Sequence, residues 1–156
     1  MKNTFFYGLL IMLSMTLMSS TCSSDDDGGN QNDNSQEIAQ IESTVQTGTW
    51  QITSYVDSGQ DETTDFNGFD FTFASDGTLT ATDGTTTYIG TWSVTSSNSN
   101  DDNDIDFNIS FPVPDTNDFE DLNDDWDIVS NTNTSINLID ISGGNGGTDT
   151  LVFQMN

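Results

Sequence analysis

The sequence predicts an all-β domain, namely an eight-stranded antiparallel up-and-down barrel that follows one short helix. Beyond residue 47, apolar side chains recur at every second position, which is typical of strands with one buried face. Turn-forming pairs such as Asp83-Gly84 separate these runs at short intervals. No helical pattern long enough for a crossover interrupts them, so consecutive strands are expected to pair as hairpins and to close on themselves.

The chain begins with a targeting segment. Lys2 precedes an apolar run of about fourteen residues, 5–18, which suits a signal peptide and is short of the roughly twenty that a membrane-spanning helix needs. Small residues at 19–21 lead to Cys22, the one cysteine of the chain. This arrangement resembles the lipobox of bacterial lipoproteins, although Ser19 stands where that box usually has Leu. The resemblance implies acylation of Cys22; an ordinary secretory signal with a chance cysteine is the alternative.

The residues after the cysteine predict a flexible acidic tether. Ser23 and Ser24 are followed by Asp25-Asp26-Asp27 and two glycines. The run resembles the acidic export tag of Bacteroidota lipoproteins, which implies display on the outer face of the outer membrane; a solvated linker is the alternative. We therefore expect a signal peptide over 1–21, a tether over 22–35 and a barrel domain over 36–156.

Charge excludes several classes of function. All 26 acidic residues follow Cys22, whereas the one basic residue, Lys2, lies in the signal and histidine is absent. The mature chain therefore lacks the groups for His-dependent triads, Schiff-base lysines, arginine phosphate clamps and Cys/His zinc sites. It also cannot neutralise nucleic-acid phosphates. A pair of carboxylates is the remaining catalytic possibility. Because the chain has so many acidic residues, two of them at a suitable distance would give no information about catalysis. We expect a monomer that is not an enzyme and binds no nucleic acid.

The helix and the first four strands follow from local periodicity. Ile38, Ile41 and Val45 predict a helix over 36–46, and Asn34 with Glu37 fits a capping box. The alternating sets that predict the strands are Trp50/Ile52/Ser54/Val56 in 49–57, Phe69/Phe71/Phe73 in 67–75, Leu79/Ala81 in 77–83 and Tyr88/Gly90/Trp92/Val94 in 86–95.

Four more strands complete the count. The sets are Ile105/Phe107/Ile109/Phe111 in 104–111, Trp126/Ile128/Ser130 in 123–131, Ile136/Leu138/Asp140 or Asn137/Ile139/Ile141 in 134–141, and Leu151/Phe153/Met155 in 148–155. The inward face of 134–141 stays open. Pro112 and Pro114 end the fifth strand, and an acidic connection follows it. A two-sheet sandwich is the competing topology.

A repeated tripeptide points to a family. Gly48-Thr49-Trp50 opens the first strand directly after the helix, and Gly90-Thr91-Trp92 repeats the pattern on the fourth. With eight meandering strands, these motifs resemble the lipocalin-like lipoproteins of Bacteroidota over 36–156. The resemblance implies a structural plug in which Trp50 closes the barrel base, Gly48 allows close backbone approach, and Gly90 and Trp92 repeat the motif. Classical lipocalins pack an Arg across the plug, and fatty-acid carriers bind the ligand carboxylate with Arg; this chain has none, so a free fatty acid is a poor candidate.

The interior offers two hypotheses, because a barrel of about eight strands is wide enough either to be filled by side chains or to hold one small ligand. The candidate pocket lining for a neutral or apolar molecule is Phe71, Phe73, Tyr88, Phe107 and Trp126. The alternative is a filled core, which a domain of this size needs for stability.

Acidic clusters offer a second candidate site. The candidate ligands are Asp101, Asp102 and Asp104 before the fifth strand, and Asp121 and Asp125 near the acidic connection. Oxygen ligands at such spacing suit calcium, yet no stretch has the Gly and Glu positions of an EF-hand loop. We expect weak calcium binding or a solvated acidic surface, and no other cofactor.

The sequence thus predicts a surface-anchored outer-membrane lipoprotein without catalytic activity. It would bind a small neutral or apolar molecule or serve as a structural component of the surface. The alternative is an extracellular β-sandwich module that binds glycan or protein and is stabilised by calcium.

Overall fold

The computed structural model describes residues 34–96, 105–141 and 147–156. The predicted signal peptide, Cys22 and nearly all of the tether lie outside these ranges. Within them, one helix and nine strands follow in the order α1 (Ser35–Val45), β1 (Trp50–Asp57), β2 (Gln60–Asp61), β3 (Asp70–Phe73), β4 (Thr78–Thr82), β5 (Thr87–Ser96), β6 (Ile105–Ser110), β7 (Asp124–Asn131), β8 (Ser135–Ile141) and β9 (Thr148–Met155). A 3-10 turn, η1 (Thr63–Phe66), lies between β2 and β3.

Eight of the strands form a closed antiparallel barrel, which confirms the predicted fold class. Strands β3 to β9 pair in chain order, and β1 pairs with both β3 and β9. The β1–β9 ladder runs from Trp50↔Met155 to Val56↔Thr150. The two-residue strand β2 lies outside this circuit as a short hairpin on β1. The sandwich alternative is wrong, because the first and last barrel strands pair with each other and leave no open edge between two sheets.

The two ends of the barrel have different coverings. At the start of β1, α1 buries Ile41 and Val45, and this end is called the helix end. Because the strands alternate in direction, the end of β1 and the end of β6 both lie at the opposite end. There, η1 and the β6–β7 connection bury Phe66, Phe119 and Leu122. Residues 111–123 of that connection are called the cap, and this end the cap end.

Two bulges change which side chains face inward. The register shifts between Ile52 and Ser54 in β1 and between Ile128 and Ser130 in β7. The predicted alternation Trp50/Ile52/Ser54/Val56 therefore holds only as far as Ile52. Tyr55 is buried instead, at 2% exposure, because a bulge inserts one extra residue and reverses the alternation beyond it.

Two local expectations are also resolved. On β8, Ile136 and Leu138 are buried whereas Ile141 is 65% exposed. Of the two faces left open by the sequence, the one with Ile136 and Leu138 therefore points inward. The predicted capping box is wrong, because Asn34 makes no side-chain capping hydrogen bond with α1. Its amide nitrogen lies 3.4 Å from Ser96 Oγ instead. Among the described residues, no helix is both long enough and apolar enough to cross a bilayer.

Candidate functional site

The five predicted pocket residues lie in the core, where their rings pack against other rings. Phe71, Phe73, Phe107 and Trp126 are each at most 1% exposed, and Tyr88 is half-buried against them. The ring centroids of Phe73 and Phe107 are 5.6 Å apart at an interplanar angle of 84°. Such edge-to-face pairs are a favoured geometry for buried aromatic rings. The packing favours the filled-core alternative over a preformed pocket between these side chains.

The indole N–H of each of the three tryptophans donates a hydrogen bond to a backbone carbonyl outside its own strand. The indole N–H of Trp50 donates to the carbonyl oxygen of Val45 at 2.9 Å, at the end of α1. Trp92 donates to Ala74 in the β3–β4 turn, also at 2.9 Å. Trp126 donates to Leu122 in the cap at 3.1 Å. Trp50 is fully buried under the helix, which is the position expected of a plug.

The two glycines of the repeated tripeptide have different roles. Gly48 has a φ of +79°, in the left-handed region that glycine adopts without strain. A Cβ atom there would meet the Met155 side chain at 3.7 Å, an ordinary contact distance, so the predicted close approach at Gly48 is wrong. Close approach occurs at Gly90 instead, where a Cβ atom would collide with the Ser110 carbonyl oxygen and lie 2.8 Å from Phe111 Cδ1.

The cap is a structured part of the molecule, although the sequence pattern indicated only an acidic connection. Asn117, Glu120 and Asn123 each donate their backbone N–H to the carbonyl three residues earlier. The side chain of Asn123 joins the two ends of the cap, since it accepts from the Phe111 N–H and donates to the Phe111 carbonyl oxygen. Asn123 therefore pairs with the Phe111 backbone much as a neighbouring strand would.

Phe119 is the aromatic side chain that the cap places in the barrel end, and it is 3% exposed. The rings around it form the aromatic cage, defined by centroid distance to Phe119: Tyr88 (4.2 Å), Phe69 (4.9 Å), Phe111 (5.1 Å), Phe66 (5.4 Å) and Phe71 (6.0 Å). Sequence reasoning missed Phe119 because one apolar residue in an acidic run has no periodicity. The three-residue spacing from Phe119 to the buried Leu122 was the available signal.

Carboxylates surround the cap end. The acidic rim consists of six residues from two segments: Asp57, Glu62, Asp65, Asp118, Glu120 and Asp121. Desolvation, and then the charges of Asp57 and Asp121, raise the pKa of Glu62. Desolvation also raises the pKa of Asp121, followed by the charges of Glu120 and Asp57. The chain beyond Cys22 has no basic side chain to offset this repulsion.

The structure does not gather the candidate metal ligands. Outside the described residues lie Asp101, Asp102 and Asp104. Asp121 belongs to the acidic rim, whereas Asp125 is exposed on β7 and donates its backbone N–H to the Asp124 carboxylate at 2.8 Å. Within the described ranges, no three acidic side chains are grouped as a metal ion would require.

Grooves open on the surface formed by the described residues. One of about 650 Å³ is lined mainly by polar residues of β5 and β6 and by their neighbours, among them Asp76, Thr91, Ser93, Asn108, Ser110 and Asp124. Another of about 450 Å³ lies between α1 and the β7–β8 turn, lined by Ser43, Thr44, Thr47, Asn133, Thr134 and Met155. None of the five predicted pocket residues lines either groove.

No protein-family model matches the chain, and no curated protein matches its sequence. Among solved structures, the chain is similar to the crystal structure of a DUF4847 family protein from Bacteroides vulgatus ATCC 8482. The two are 20% identical with a TM-score of 0.47, over 74% of this chain and 97% of the other. At this level the similarity assigns neither a family nor a function.

Proposed function

We propose that the protein is a non-catalytic lipoprotein of the outer-membrane surface, anchored through Cys22, in which the barrel serves as a filled structural scaffold. The observation that supports it is the packing of the interior, where fully buried rings such as Phe73 and Phe153 contact each other at 5.6 Å. With its interior occupied, the barrel contacts other molecules through its outer surface. The absence of Lys, Arg, His and Cys beyond Cys22 supports a role without catalysis.

The sequence supports the lipid anchor. The apolar run 5–18, the small residues 19–21 and Cys22 resemble a lipoprotein signal, and the aspartates 25–27 resemble the export tag of Bacteroidota lipoproteins. Acyl chains contribute about 0.8 kcal/mol per buried CH₂, so two or three chains hold a protein stably at a membrane. An acidic domain without basic residues gains no attraction from anionic lipid headgroups. Binding to the membrane would therefore depend on the acyl chains at Cys22.

Fractionation of host cells tests this proposal. We expect the wild-type protein in the outer-membrane fraction and expect protease added to intact cells to degrade it. Cys22→Ser should release the protein from the membrane, whereas Ser24→Ala, a matched change near the same site, should leave it bound. Membrane retention of Cys22→Ser would refute the anchor. Protection of the wild-type protein from added protease would refute surface display.

A second candidate function is the binding of a small neutral or apolar molecule. The position of Phe119 favours it, because a side chain supplied by a connection, and not by a barrel strand, fills the aromatic cage. Native mass spectrometry of the Cys22→Ser chain, exported by its own host, tests this function. A bound mass beyond that of the polypeptide would support it, and the polypeptide mass alone would favour the scaffold.

A further inference from the structure

The outer face of β5 and β6 carries a groove of about 650 Å³, which is called the polar groove. On one side it is lined by Asp76 and Gly77 of the β3–β4 turn, and on the other by Asn123 and Asp124 at the start of β7. Strands β4, β5, β6 and β7 are consecutive neighbours in the sheet. Neighbouring strands lie about 4.8 Å apart, so the groove extends roughly 14 Å across them. This length suits a short oligomer.

The floor of the polar groove is built from side chains that can donate and accept hydrogen bonds. They are Thr91 and Ser93 on β5, and Asn108 and Ser110 on β6. Thr91 pairs with Ser110 and Ser93 with Asn108 across the ladder, so all four leave the same face of the sheet. The amide of Asn108 donates to Thr95 Oγ1 at 3.0 Å. This bond orients the Asn108 side chain before any ligand binds.

A carboxylate stands on each side of this floor, and a backbone donor holds each of them. Asp76 accepts from the Thr78 N–H at 3.0 Å, and Asp124 accepts from the Asp125 N–H at 2.8 Å. A carboxylate can accept several hydrogen bonds, so Asp76 and Asp124 retain capacity for a ligand. Polar groups held in this way cost less entropy to order on binding than freely rotating ones.

The chemistry of the lining limits what the polar groove can bind. The chain beyond Cys22 has no basic side chain, so an anion would be repelled by Asp76 and Asp124 without gaining an ion pair. An apolar molecule would displace water from the hydroxyl and amide groups of the floor and replace none of the lost hydrogen bonds. A cation without hydroxyl groups would pair with the carboxylates alone. The lining therefore suits an uncharged ligand with many hydroxyl groups.

We infer that the polar groove is a binding site for an uncharged glycan. Hydroxyl groups of the glycan donate to Asp76 and Asp124 on the two sides and exchange hydrogen bonds with Asn108 and its neighbours on the floor. Hydrogen bonds to a charged acceptor are about twice as strong as those between neutral groups, so the two carboxylates contribute most. The site lies on the outer surface of the filled barrel and does not depend on the lipid anchor.

Titration calorimetry with defined trisaccharides tests the inference. The full chain carrying Cys22→Ser is titrated with the uncharged compounds cellotriose, maltotriose, laminaritriose, mannotriose and galactotriose, and with trigalacturonate, which has a carboxylate on every ring. We expect at least one uncharged compound to bind with a Kd in the millimolar range or below, and trigalacturonate not to bind. Absence of binding by every uncharged compound would overturn the inference, as would equal binding of trigalacturonate.

An uncharged peptide distinguishes a glycan from a protein partner. A blocked peptide of alternating serine and glycine, similar in length to the trisaccharides, offers hydroxyl groups on a different backbone. We expect it not to bind under the same conditions. Binding of this peptide as tight as that of the best trisaccharide would assign the groove to protein and overturn the inference.

Nuclear magnetic resonance locates the bound trisaccharide. The backbone amide resonances of Ser93 and Asn108 in the polar groove should shift during the titration. Those of Thr44 and Thr134, which line the groove beside α1, should not shift. Shifts confined to that second groove, or spread evenly over the barrel, would contradict the site.

Asp124→Asn separates a loss of binding from a loss of folding. Desolvation raises the pKa of Asp124 to about 6, so removal of its charge should not destabilise the protein at pH 7. The variant should bind the trisaccharide severalfold more weakly, because a neutral amide replaces a charged acceptor. Asp65→Asn removes the same charge from the exposed surface of η1 and should leave the affinity unchanged. Wild-type affinity in Asp124→Asn, or an equal loss in both variants, would overturn the inference.

A pair of asparagine variants tests the floor of the groove. Asn108→Ala should lower the affinity about tenfold, the effect of losing one or two hydrogen bonds to the ligand. Asn137→Ala is the matched control, since Asn137 is also half-buried on an outer face and its amide donates to a hydroxyl on the neighbouring strand, Ser130 Oγ, at 2.8 Å. It lies outside the groove, so its affinity should equal that of the wild type. Equal affinities in the two variants would contradict the site.

Discussion

Tyr55 shows how a single residue can escape a sequence pattern. Strict alternation would place its side chain in solvent, but the bulge in β1 turns it inward. Its hydroxyl reaches the Asp121 carbonyl oxygen, so the buried phenol is satisfied. Burial, followed by the charge of Asp121, raises the pKa of Tyr55 well above its usual range. The sequence could not indicate that Tyr55 is buried, because a bulge depends on the pairing with the partner strand and has no periodic pattern in the sequence.

At the helix end, Trp50 is the residue whose substitution should lower the free energy of unfolding most. Its side chain is fully buried and its indole N–H satisfies the Val45 carbonyl oxygen. Trp50→Ala should lower the free energy of unfolding by about 3–5 kcal/mol, as expected for a large-to-small change in a core. Trp50→Phe keeps most of the apolar contact and loses the hydrogen bond, so it should cost less. Chemical denaturation measures both, and a loss below about 1 kcal/mol in Trp50→Ala would contradict a plug.

Asp124 should make stability depend on pH. Desolvation, with the charge of Asp140 as a further contribution, raises its pKa from 3.8 to about 6 in the folded protein. Because the folded state holds this proton more tightly, the contribution of Asp124 is complete below pH 3.8 and is lost as the pH rises to about 6. Asp124→Asn should therefore be more stable than wild type at pH 7, and this advantage should disappear on acidification.

Denaturation curves across that pH range test this expectation. Asp83→Asn provides a comparison of opposite sign, because the backbone N–H groups of Thr86 and Thr85 lower the pKa of Asp83. Its substitution should cost stability at pH 7, and the cost should diminish as the pH falls through the lowered folded pKa. A stability difference between Asp124→Asn and wild type that is the same at every pH would be incompatible with the raised pKa.

Among the elements, those with repeated signals were predictable. The alternation Phe107/Ile109 in β6 and Leu151/Phe153 in β9 placed those strands within a residue or two of their observed bounds. The covering of the cap end was not predictable, since it depends on single apolar residues such as Phe66 and Phe119 in polar runs. Those residues become core only when the closed barrel brings the rings of several strands around them.

Substitution of Gly90 tests how closely β5 packs against β6. A methyl group there would collide with the Ser110 backbone, which cannot move without disturbing the ladder. Gly90→Ala should lower the free energy of unfolding by about 1–3 kcal/mol, the usual cost of overpacking. Thr91→Ala, at the exposed neighbouring position, should change it by less than about 0.5 kcal/mol. Equal effects of the two substitutions in thermal or urea unfolding would rule out the close approach.

At the scale of the whole molecule, charge of one sign dominates. The formal net charge is −25, and loss of Lys2 with the signal would make it −26. We expect the melting temperature to rise with sodium chloride, because the screening length shortens from about 8 Å at 0.15 M to about 3 Å at 1 M. A melting temperature that stays constant or falls with salt would argue against repulsion as a destabilising force.

Calcium chloride at matched ionic strength extends the same experiment to the candidate metal site. A larger rise in melting temperature with calcium than with sodium would indicate specific binding. Equal melting temperatures in the two salts would contradict a calcium site and favour a solvated acidic surface.

Closure of the barrel is a property of the whole molecule that no local pattern contains. The sequence favoured a barrel over a sandwich through short connections alone, whereas the structure shows it through the pairing of β1 with β9. Gln51 pairs with Gln154 and Tyr55 with Leu151 across a separation of about a hundred residues. Every later feature, including the filled interior and the aromatic cage, depends on this seam.

The measurement that tests this closure most directly is amide hydrogen exchange on the full chain carrying Cys22→Ser. The hydrogen-bonded amides of β1 and β9 should exchange as slowly as those of β4, β5 and β6, because all lie within one closed ladder. Rapid exchange along β1 and β9, with protection confined to the intervening strands, would show two open edges and would contradict the closed barrel.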